Sequence, residues 1–492
     1  MKRSELSVQL AELLKDWPCI VKGSIRVQVT GIEDYAQNIQ QGYIYVLRKG
    51  KKFNGKSFLQ QAINNGASAV VVEDDTLLDL KLTVPIVWVP NSLQFLSFAS
   101  AKLRNFPAEA LTVIAITGTN GKTTVSHFIS QMLQIQGKSC IVIGTNGVFL
   151  NGERWLTSYE SLTTLQAKQL QEIFQMAVRQ GVGYAILEAS SMGLAHHRLD
   201  DCAIDIGIFL NLSAEHIEDH GSLENYKKAK QRLAVLAKNV VLNGDDPFSR
   251  SVGINLKKKT MLFGSKGRVD MQWQLLTESE GHSTCCLQYK GEEHILILPF
   301  VGEFQIQNIM AAFAALYVLN FDIAQLIPGC LHLRLPEGRM QEVENDQGLR
   351  IIIDYAHTPA ALKAVLQALK QERVRLVFSC GGERDKDKRR KMGTIASTYA
   401  YKIYLTTDNA RSEKPAEINA QIKAGFYSEQ LYEEIEDRAQ AIEKAIREAR
   451  QGDVVLIAGK GHEQTQTIGS TTIPFSDKAC AENALQIKGT AE

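Results

Sequence analysis

The segment AITGTNGKTTVSHFI, residues 115–129, constrains this chain more than any other. An apolar, β-prone run from Thr112 to Ile116 leads into a glycine-containing turn and then an amphipathic stretch from Thr124 to Ile135. The turn therefore lies between a strand and a helix, which is the setting of a phosphate-binding loop in a parallel α/β sheet. Gly118 and Gly121 let the backbone approach phosphate oxygens, and the helix start presents unpaired N–H groups at a positive dipole end. Lys122 adds charge, and Thr123 offers a hydroxyl to Mg²⁺. Thr119, Asn120 and Thr124 complete the loop. Ile116 stands where the longer G-x-x-x-x-G-K-[ST] pattern has its first glycine, so the loop is the shorter GTNGKT.

The chain has 492 residues, enough for three domains at roughly 100–200 residues each. Its net charge of +1 gives no electrostatic case for nucleic acid or an anionic membrane as partner. The eight cysteines are scattered without metal-ligand spacing, the pattern of reduced thiols in a cytoplasmic protein. No apolar run reaches the roughly 18 residues that a membrane-spanning helix needs.

Residues 1–107 read as a small α/β module, with strands at 42–47, 67–73 and 84–89 and a helix that ends at Pro107. Residues 108–335 alternate strands and helices as a doubly wound, mainly parallel sheet, with antiparallel strands toward its periphery near 271–300. Residues 336–492 repeat the α/β alternation. The expected fold is thus α/β in three domains.

Glu188 ends the strand-like YAILE, and His216 follows IFLNLSAE. In an open parallel sheet both fall on the edge where the phosphate loop opens. Either suits a polar loop cap or a partner of phosphate-bound Mg²⁺, with Glu188 favoured because Mg²⁺ prefers oxygen. Lys227, Lys228 and Lys230 lie on a helix just beyond, and taken alone they suit a solvated face. In the last third, four loops follow strands: DYAHTP (354–359), CGGERDKDKRR (380–390), TDNARSEKP (407–415) and GKGHE (459–463). Their glycines permit close backbone approach, and Arg384 and Arg411 suit bidentate binding of carboxylate or phosphate. Four such loops on one edge make a second site.

GTNGKTT, EASS, NLSAEH, YKKAK, GRM, DYAHTP, GGERDK, DNAR and GKGHE occur in the order and rough spacing of the Mur ligase family, and the set most resembles the MurE type. The resemblance runs from about residue 108 to 485. It implies a central P-loop ATPase domain, a Rossmann-like C-terminal domain that brings an amino acid, and an N-terminal domain for the UDP end of an acid substrate. It implies ATP and Mg²⁺, with an acyl phosphate made from the acid and then attacked by an amine. Lys122, Glu188, His216 and Lys230 match catalytic positions. Thr123, Glu188, His216 and Lys230 match the metal site, Lys230 in carbamylated form. Asn308 matches an adenine contact, and Arg339, Asp354 and His357 match the ATP side of the last domain. Thr163, Thr164, Ser191 and Arg198 match the acid-substrate side. Arg384, Asp408, Asn409, Arg411, Gly459 and Glu463 match the amino-acid pocket, in which the arginine of DNAR is associated with meso-diaminopimelate.

Three departures fall on the side that receives the UDP-sugar peptide. The family's Asp-Ser-Arg element reads Asp34-Tyr35-Ala36, its Thr-Thr-Pro reads Thr163-Thr164-Leu165, and its Ser-Ser-His reads Ser190-Ser191-Met192. Uridine recognition is therefore expected to be weakened or rerouted, and Leu165 and Met192 are expected to make the substrate channel more apolar. The alternative is that the family element aligns differently in this weakly similar domain and another residue, Arg48 or Lys51, serves the nucleotide. The rivals are a paralogue acting on another carboxylate, a folylpolyglutamate-type ligase, and a nucleotide-binding regulator with a decayed site.

Overall fold

The computed structural model describes residues 7–48, 58–157, 159, 162–213, 215, 217–254, 256–279 and 281–491. It is an α/β protein whose three large sheets draw their strands from three successive stretches of chain.

The first sheet contains β1 (Ile20–Lys22), β2 (Gly31–Glu33), β3 (Tyr43–Val46), β4 (Ala69–Val72) and β5 (Ile86–Trp88) in the order β1-β5-β4-β3-β2. Strands β2 to β5 run parallel and β1 runs antiparallel at one edge. Asn91 caps α1 (Ser92–Lys102) by accepting the Gln94 N–H, and Phe95, Leu96 and Ala99 bury its inner face. The helix stops short of Pro107 because Asn105 and Phe106 take φ of 59° and 47°, left-handed backbone that a helix cannot continue through.

The central sheet has eleven strands. Its parallel centre comprises β6 (Thr112–Thr117), β7 (Cys140–Gly144), β10 (Tyr184–Glu188), β11 (Ile204–Phe209), β12 (Asn239–Asn243) and β13 (Thr260–Gly264), in the order β7-β10-β6-β11-β12-β13. Beyond β13 lie β14 (Met271–Ser279), β15 (His282–Tyr289) and β16 (Glu292–Leu298), antiparallel to one another at the periphery as expected. The opposite edge carries a hairpin that the sequence reading did not find, β8 (Gly147–Leu150) and β9 (Glu153–Leu156). Its two-residue turn is Asn151-Gly152, both at positive φ, the chemistry such a hairpin requires. On one face of the sheet α2 (Lys122–Ile135) and the apolar α6 (Glu303–Val318) pack on each other. On the other side lie α3 (Ala167–Arg179), α4 (Ser191–Ala195) and α5 (Leu223–Leu236). Leu165 is buried in the core on this side at 2% exposure, which corrects the expectation that it lines a substrate channel.

In the last sheet β17 (Gln341–Glu342), β18 (Arg350–Asp354), β22 (Asp453–Ala458), β19 (Arg373–Phe378), β20 (Lys402–Leu405) and β21 (Tyr432–Glu434) are neighbours in that order, all parallel but β17. The four polar loops therefore leave one edge together. A hairpin of β23 (Thr465–Ile468) and β24 (Thr471–Pro474) stands beside them.

Candidate active site

Gly121, at φ +93°, opens α2 with no side-chain cap, so the first-turn N–H groups remain available to an anion. A Cβ on Gly121 would lie 2.5 Å from the Asn308 Oδ1, so only glycine lets the loop lie this close to α6. The loop is laced to the chain after β11. Thr119 N–H donates to the Asn211 carbonyl at 2.9 Å, Asn120 N–H donates to the Asn211 Oδ1 at 2.9 Å, and Ser213 N–H donates to the Thr119 hydroxyl at 2.9 Å. Lys122 Nζ donates to the carbonyls of Gly118 and Thr119 at 2.9 and 3.0 Å. Burial pulls its pKa down, Glu188 and Glu215 oppose that, and Arg339 adds to it. Thr123 and Thr124 are buried, and Arg339 of the last domain donates to the Thr123 hydroxyl at 3.3 Å.

Glu188 ends β10 and is 1% exposed. Its carboxylate accepts the N–H and the hydroxyl of Thr145 at 3.0 and 2.9 Å, and a Cβ on Gly144 would come within 2.2 Å of it. Gly144 thus makes room for the acid. The Thr145 hydroxyl also reaches that of Thr163 at 3.1 Å. Thr164 is buried, its hydroxyl donating to the Glu188 carbonyl at 2.7 Å and accepting the Ser190 N–H at 2.9 Å. It braces the strand end. Arg198 donates to the Thr164 carbonyl at 2.7 Å, and Ser191 meets the His220 ring at 2.9 Å.

Lys230 does not lie on a solvated face. It is 2% exposed, with Nζ 3.5 Å from the Thr117 hydroxyl and 4.8 Å from the centre of the Tyr226 ring. Burial, followed by repulsion from Lys122, drives its pKa well below the lysine range. His216 lies outside the described residues. Among the described residues no three His, Cys, Asp or Glu side chains gather as a metal-binding cluster.

Thr119 to Thr124, Thr145, Thr163, Glu188 and Arg339 line a cleft of about 680 Å³ between the central and last domains, while Lys230, Thr164, Ser191 and Arg198 lie outside its lining. Phe304, Gln305 and Asn308 of α6 face Ala360, Ala361 and Val365 of α7 (Pro359–Ala368) across its apolar end. Asp354 accepts the N–H groups of Met340 and Ala356, both at 2.7 Å, and burial pushes its pKa up. His357 is pulled down to about 3, first by burial and then by Lys388, so its ring is neutral.

A second cavity of about 170 Å³ adjoins the cleft, lined by Arg384, Asp408, Asn409, Arg411, Gly459 and Glu463 among others. Asn409 Nδ2 donates to Glu463 at 2.9 Å, and the fully buried Lys460 donates to both, at 3.2 Å to Asn409 and 2.8 Å to Glu463. Gly459 takes φ +117°, and a Cβ there would meet the Asp408 carboxylate at 2.9 Å. Arg411 adopts φ +51° and donates to the Gly382 carbonyl at 2.7 Å.

Glu215, Tyr355, His357, Arg384 and Glu463 line both cavities. Of these the sequence reading passed over Glu215 and Tyr355, and it also missed Thr145, Lys388 and Lys460. Glu215 carries a carboxyl whose pKa burial raises against the pull of Lys388. Except for Thr145, each stood inside or beside a quoted motif, but nothing in the motif marked the burial that a second domain imposes.

The sequence profile of the Mur ligase middle domain matches residues 116–316, and that of the Mur ligase glutamate ligase domain matches residues 338–461. The UDP-N-acetylmuramoyl-L-alanyl-D-glutamate:2,6-diaminopimelate ligase of Caldanaerobacter subterraneus subsp. tengcongensis is 35% identical over 97% of this chain and 99% of its own. That of Halalkalibacterium halodurans is 34% identical over 98% and 99%. The chain belongs to the Mur ligase family. A solved ligase of the same name superposes on this Mur ligase with a TM-score of 0.70 at 32% identity, covering 98% of this chain and 99% of the other. The Thermotoga maritima MurF ligase in complex with ADP, 19% identical at a TM-score of 0.61 over 93% and 96%, shares its fold. Mur ligases are ATP-dependent, ADP-forming ligases that use Mg²⁺, and this Mur ligase is an enzyme of that class. Among its described residues no helix is long and apolar enough to cross a membrane.

Proposed function

We propose that this Mur ligase adds 2,6-diaminopimelate to UDP-N-acetylmuramoyl-L-alanyl-D-glutamate, the reaction for which its relatives are named. The observation that carries the reading is the junction of the two cavities at Glu215, Tyr355, His357, Arg384 and Glu463. A carboxyl activated at the phosphate loop and an amine held beside Asp408 and Arg411 would meet at that junction.

The acid carboxylate attacks the γ-phosphorus of ATP and ADP leaves. The amine nitrogen then attacks the acyl carbon, phosphate leaves, and the nitrogen gives up a proton. Lys122, Arg339 and the helix N-terminus oppose the negative charge that brings carboxylate and triphosphate together. The oxygen donors Thr123 and Glu188 suit Mg²⁺, which when bound adds further charge neutralisation. His216 and a carbamylated Lys230 complete that donor set. The buried amine of Lys230 supports the modification, because a neutral lysine nitrogen adds CO₂ and becomes an anion that Lys122 favours. The apolar slot between α6 and α7, with Asn308 at its edge, suits adenine.

The separation of the three sheets supports domains spanning residues 1–107 for the acceptor, 108–335 for the ATPase and 336–492 for the amino acid. Eight free thiols suit the cytoplasm.

The test supplies ATP, Mg²⁺, the UDP-linked dipeptide or its UDP-free fragment, and either diaminopimelate or lysine, and identifies products by mass spectrometry. Formation of the UDP-linked tripeptide with ADP supports the reading. Ligation only to another acid makes the protein a paralogue, and ATP turnover indifferent to acid and amine makes it a regulator.

A further inference from the structure

In the first sheet, the C-terminal ends of β2 to β5 form another edge of the kind that receives ligands. Two contacts turn that edge toward the central domain. Asn91, just past β5, meets the His197 ring at 3.2 Å, and Glu33, at the end of β2, forms an ion pair with Lys168 of α3. Asp34 follows β2 and Arg48 follows the neighbouring β3, so their loops meet, and Arg48 Nη1 donates to the Asp34 carboxylate at 2.8 Å. The Asp34 side chain is 2% exposed and that of Arg48 is 29% exposed. A buried acid thus braces a guanidinium that still reaches solvent.

Ala36 is buried in the apolar core beside Ile39 and Leu47. It offers the edge nothing polar. Across the seam stand His196 and Arg198. The His196 ring is held neutral, its pKa pulled to about 4 by burial, by Arg198 and then by Arg48, so guanidinium groups from both domains act on one imidazole. Arg198 in turn donates to the Thr164 carbonyl, and the Thr164 hydroxyl to that of Glu188. A line of hydrogen bonds runs from Glu188 through Thr164 to Arg198, and the charges of Arg198 and Arg48 act on the same His196 ring.

We propose that Arg48, braced by Asp34, binds the diphosphate end of the acid substrate and sets the preference for a UDP-linked acid. This rests on the function proposed above. With the reacting carboxyl at Lys122 and Glu188, the remainder of the acid extends along that line, and a guanidinium held by a buried carboxylate is pre-organised for charge-assisted hydrogen bonds to phosphate oxygens. The guanidinium missing at position 36 is supplied from the next strand.

The test compares KM and kcat of wild type, Arg48→Ala and Arg48→Lys for the UDP-linked dipeptide and for its UDP-free fragment, with KM for ATP as control. Arg48→Ala strands a buried carboxylate, so the paired variant Arg48→Met with Asp34→Asn is measured beside it. The expected result is a KM for the UDP-linked acid raised roughly ten- to hundredfold. The KM values for the fragment and for ATP and the kcat stay near wild type, and Arg48→Lys falls between. Variants that keep the wild-type preference for UDP, or that lose both acids equally, overturn this proposal and leave the function standing. A wild type that turns over the fragment and ignores UDP overturns both.

Discussion

Arg339 donates to the hydroxyl of Thr123 at 3.3 Å, so the linker into the last domain touches the phosphate loop directly. Its guanidinium also lies 4.5 Å from the centre of the Tyr355 ring, one of the residues between the two cavities. The preceding Gly338, at φ +70°, runs so close to the GKGHE loop that a Cβ would fall 2.2 Å from the His462 nitrogen. The linker therefore fixes both the phosphate site and the amine site. Arg339→Ala is expected to lower kcat by about ten- to hundredfold, the loss of one charged hydrogen bond. ADP affinity, measured by calorimetry, should fall by less. A kcat within twofold of wild type would remove Arg339 from the phosphate site.

The left-handed backbone of Arg411 is held by the β23–β24 hairpin. Arg411 N–H donates to the Thr467 carbonyl at 3.1 Å, and Gly469 N–H donates to the Arg411 carbonyl at 2.6 Å. One guanidinium nitrogen is committed to the Gly382 carbonyl, which orients the group along the wall of the smaller cavity. Arg411→Ala should cost a charge-assisted hydrogen bond of about 1.5–3 kcal/mol, or roughly ten- to over a hundredfold in kcat/KM for diaminopimelate. Lysine lacks the distal carboxylate and should lose little. Equal losses for the two amines would take the distal carboxylate away from Arg411.

The sequence shows some of this site and conceals the rest, for separable reasons. Lys230 was legible in principle. Ser222 caps α5 and fixes its phase, and Tyr226, Ala229, Lys230 and Leu233 then share the buried face at helical spacing. Lys228 is exposed. Glu215 gave no such signal, because its burial depends on a domain whose Lys388 and Thr358 come over 140 residues later. The β23–β24 hairpin escaped because its strands, TQTI and TTIP, are mostly exposed and show no apolar alternation. Leu165 was misplaced because a substitution within a binding motif can turn its side chain into the core.

Asp201 lies at the seam of the first two domains, its N–H donating to the Ser97 hydroxyl at 3.3 Å. Burial raises its carboxyl to about 6, Ser97 opposes this and Asp200 adds to it. Between the unfolded value near 4 and about 6 the folded protein holds more protons than the unfolded chain. The stability this group confers is thus complete below pH ~4 and is lost as the pH rises through about 6. Asp201→Asn should be more stable than wild type by about 1–2 kcal/mol at pH ~8 and equal to it near pH ~4. Urea unfolding at both values checks this, and an equal difference at the two would show that the carboxyl does not titrate in this window.

Lys230 provides the sharpest division between a structural and a catalytic role. Its amine is buried with Lys122 for an electrostatic neighbour and Glu215 as the attractive charge. A protonated lysine there meets both desolvation and repulsion, which lower its pKa and make the neutral nitrogen, the form that adds CO₂, more populated than in an exposed lysine. The resulting carbamate carries a negative charge and two oxygens, which suit the position beside Lys122 and a hard cation. Enzyme stripped of CO₂ should lose ligation and regain it with bicarbonate, and intact-protein mass spectrometry should find the mass of one added CO₂ on wild type but not on Lys230→Ala. That variant should fail in ligation while keeping most of its ATP affinity, because the phosphate loop and the apolar slot are untouched, and added short carboxylic acids should restore part of the rate by filling the space left by the side chain. Ligation by Lys230→Ala near the wild-type rate would return the lysine to a packing role and leave Glu188 and Thr123 to hold the cation with the remaining oxygens.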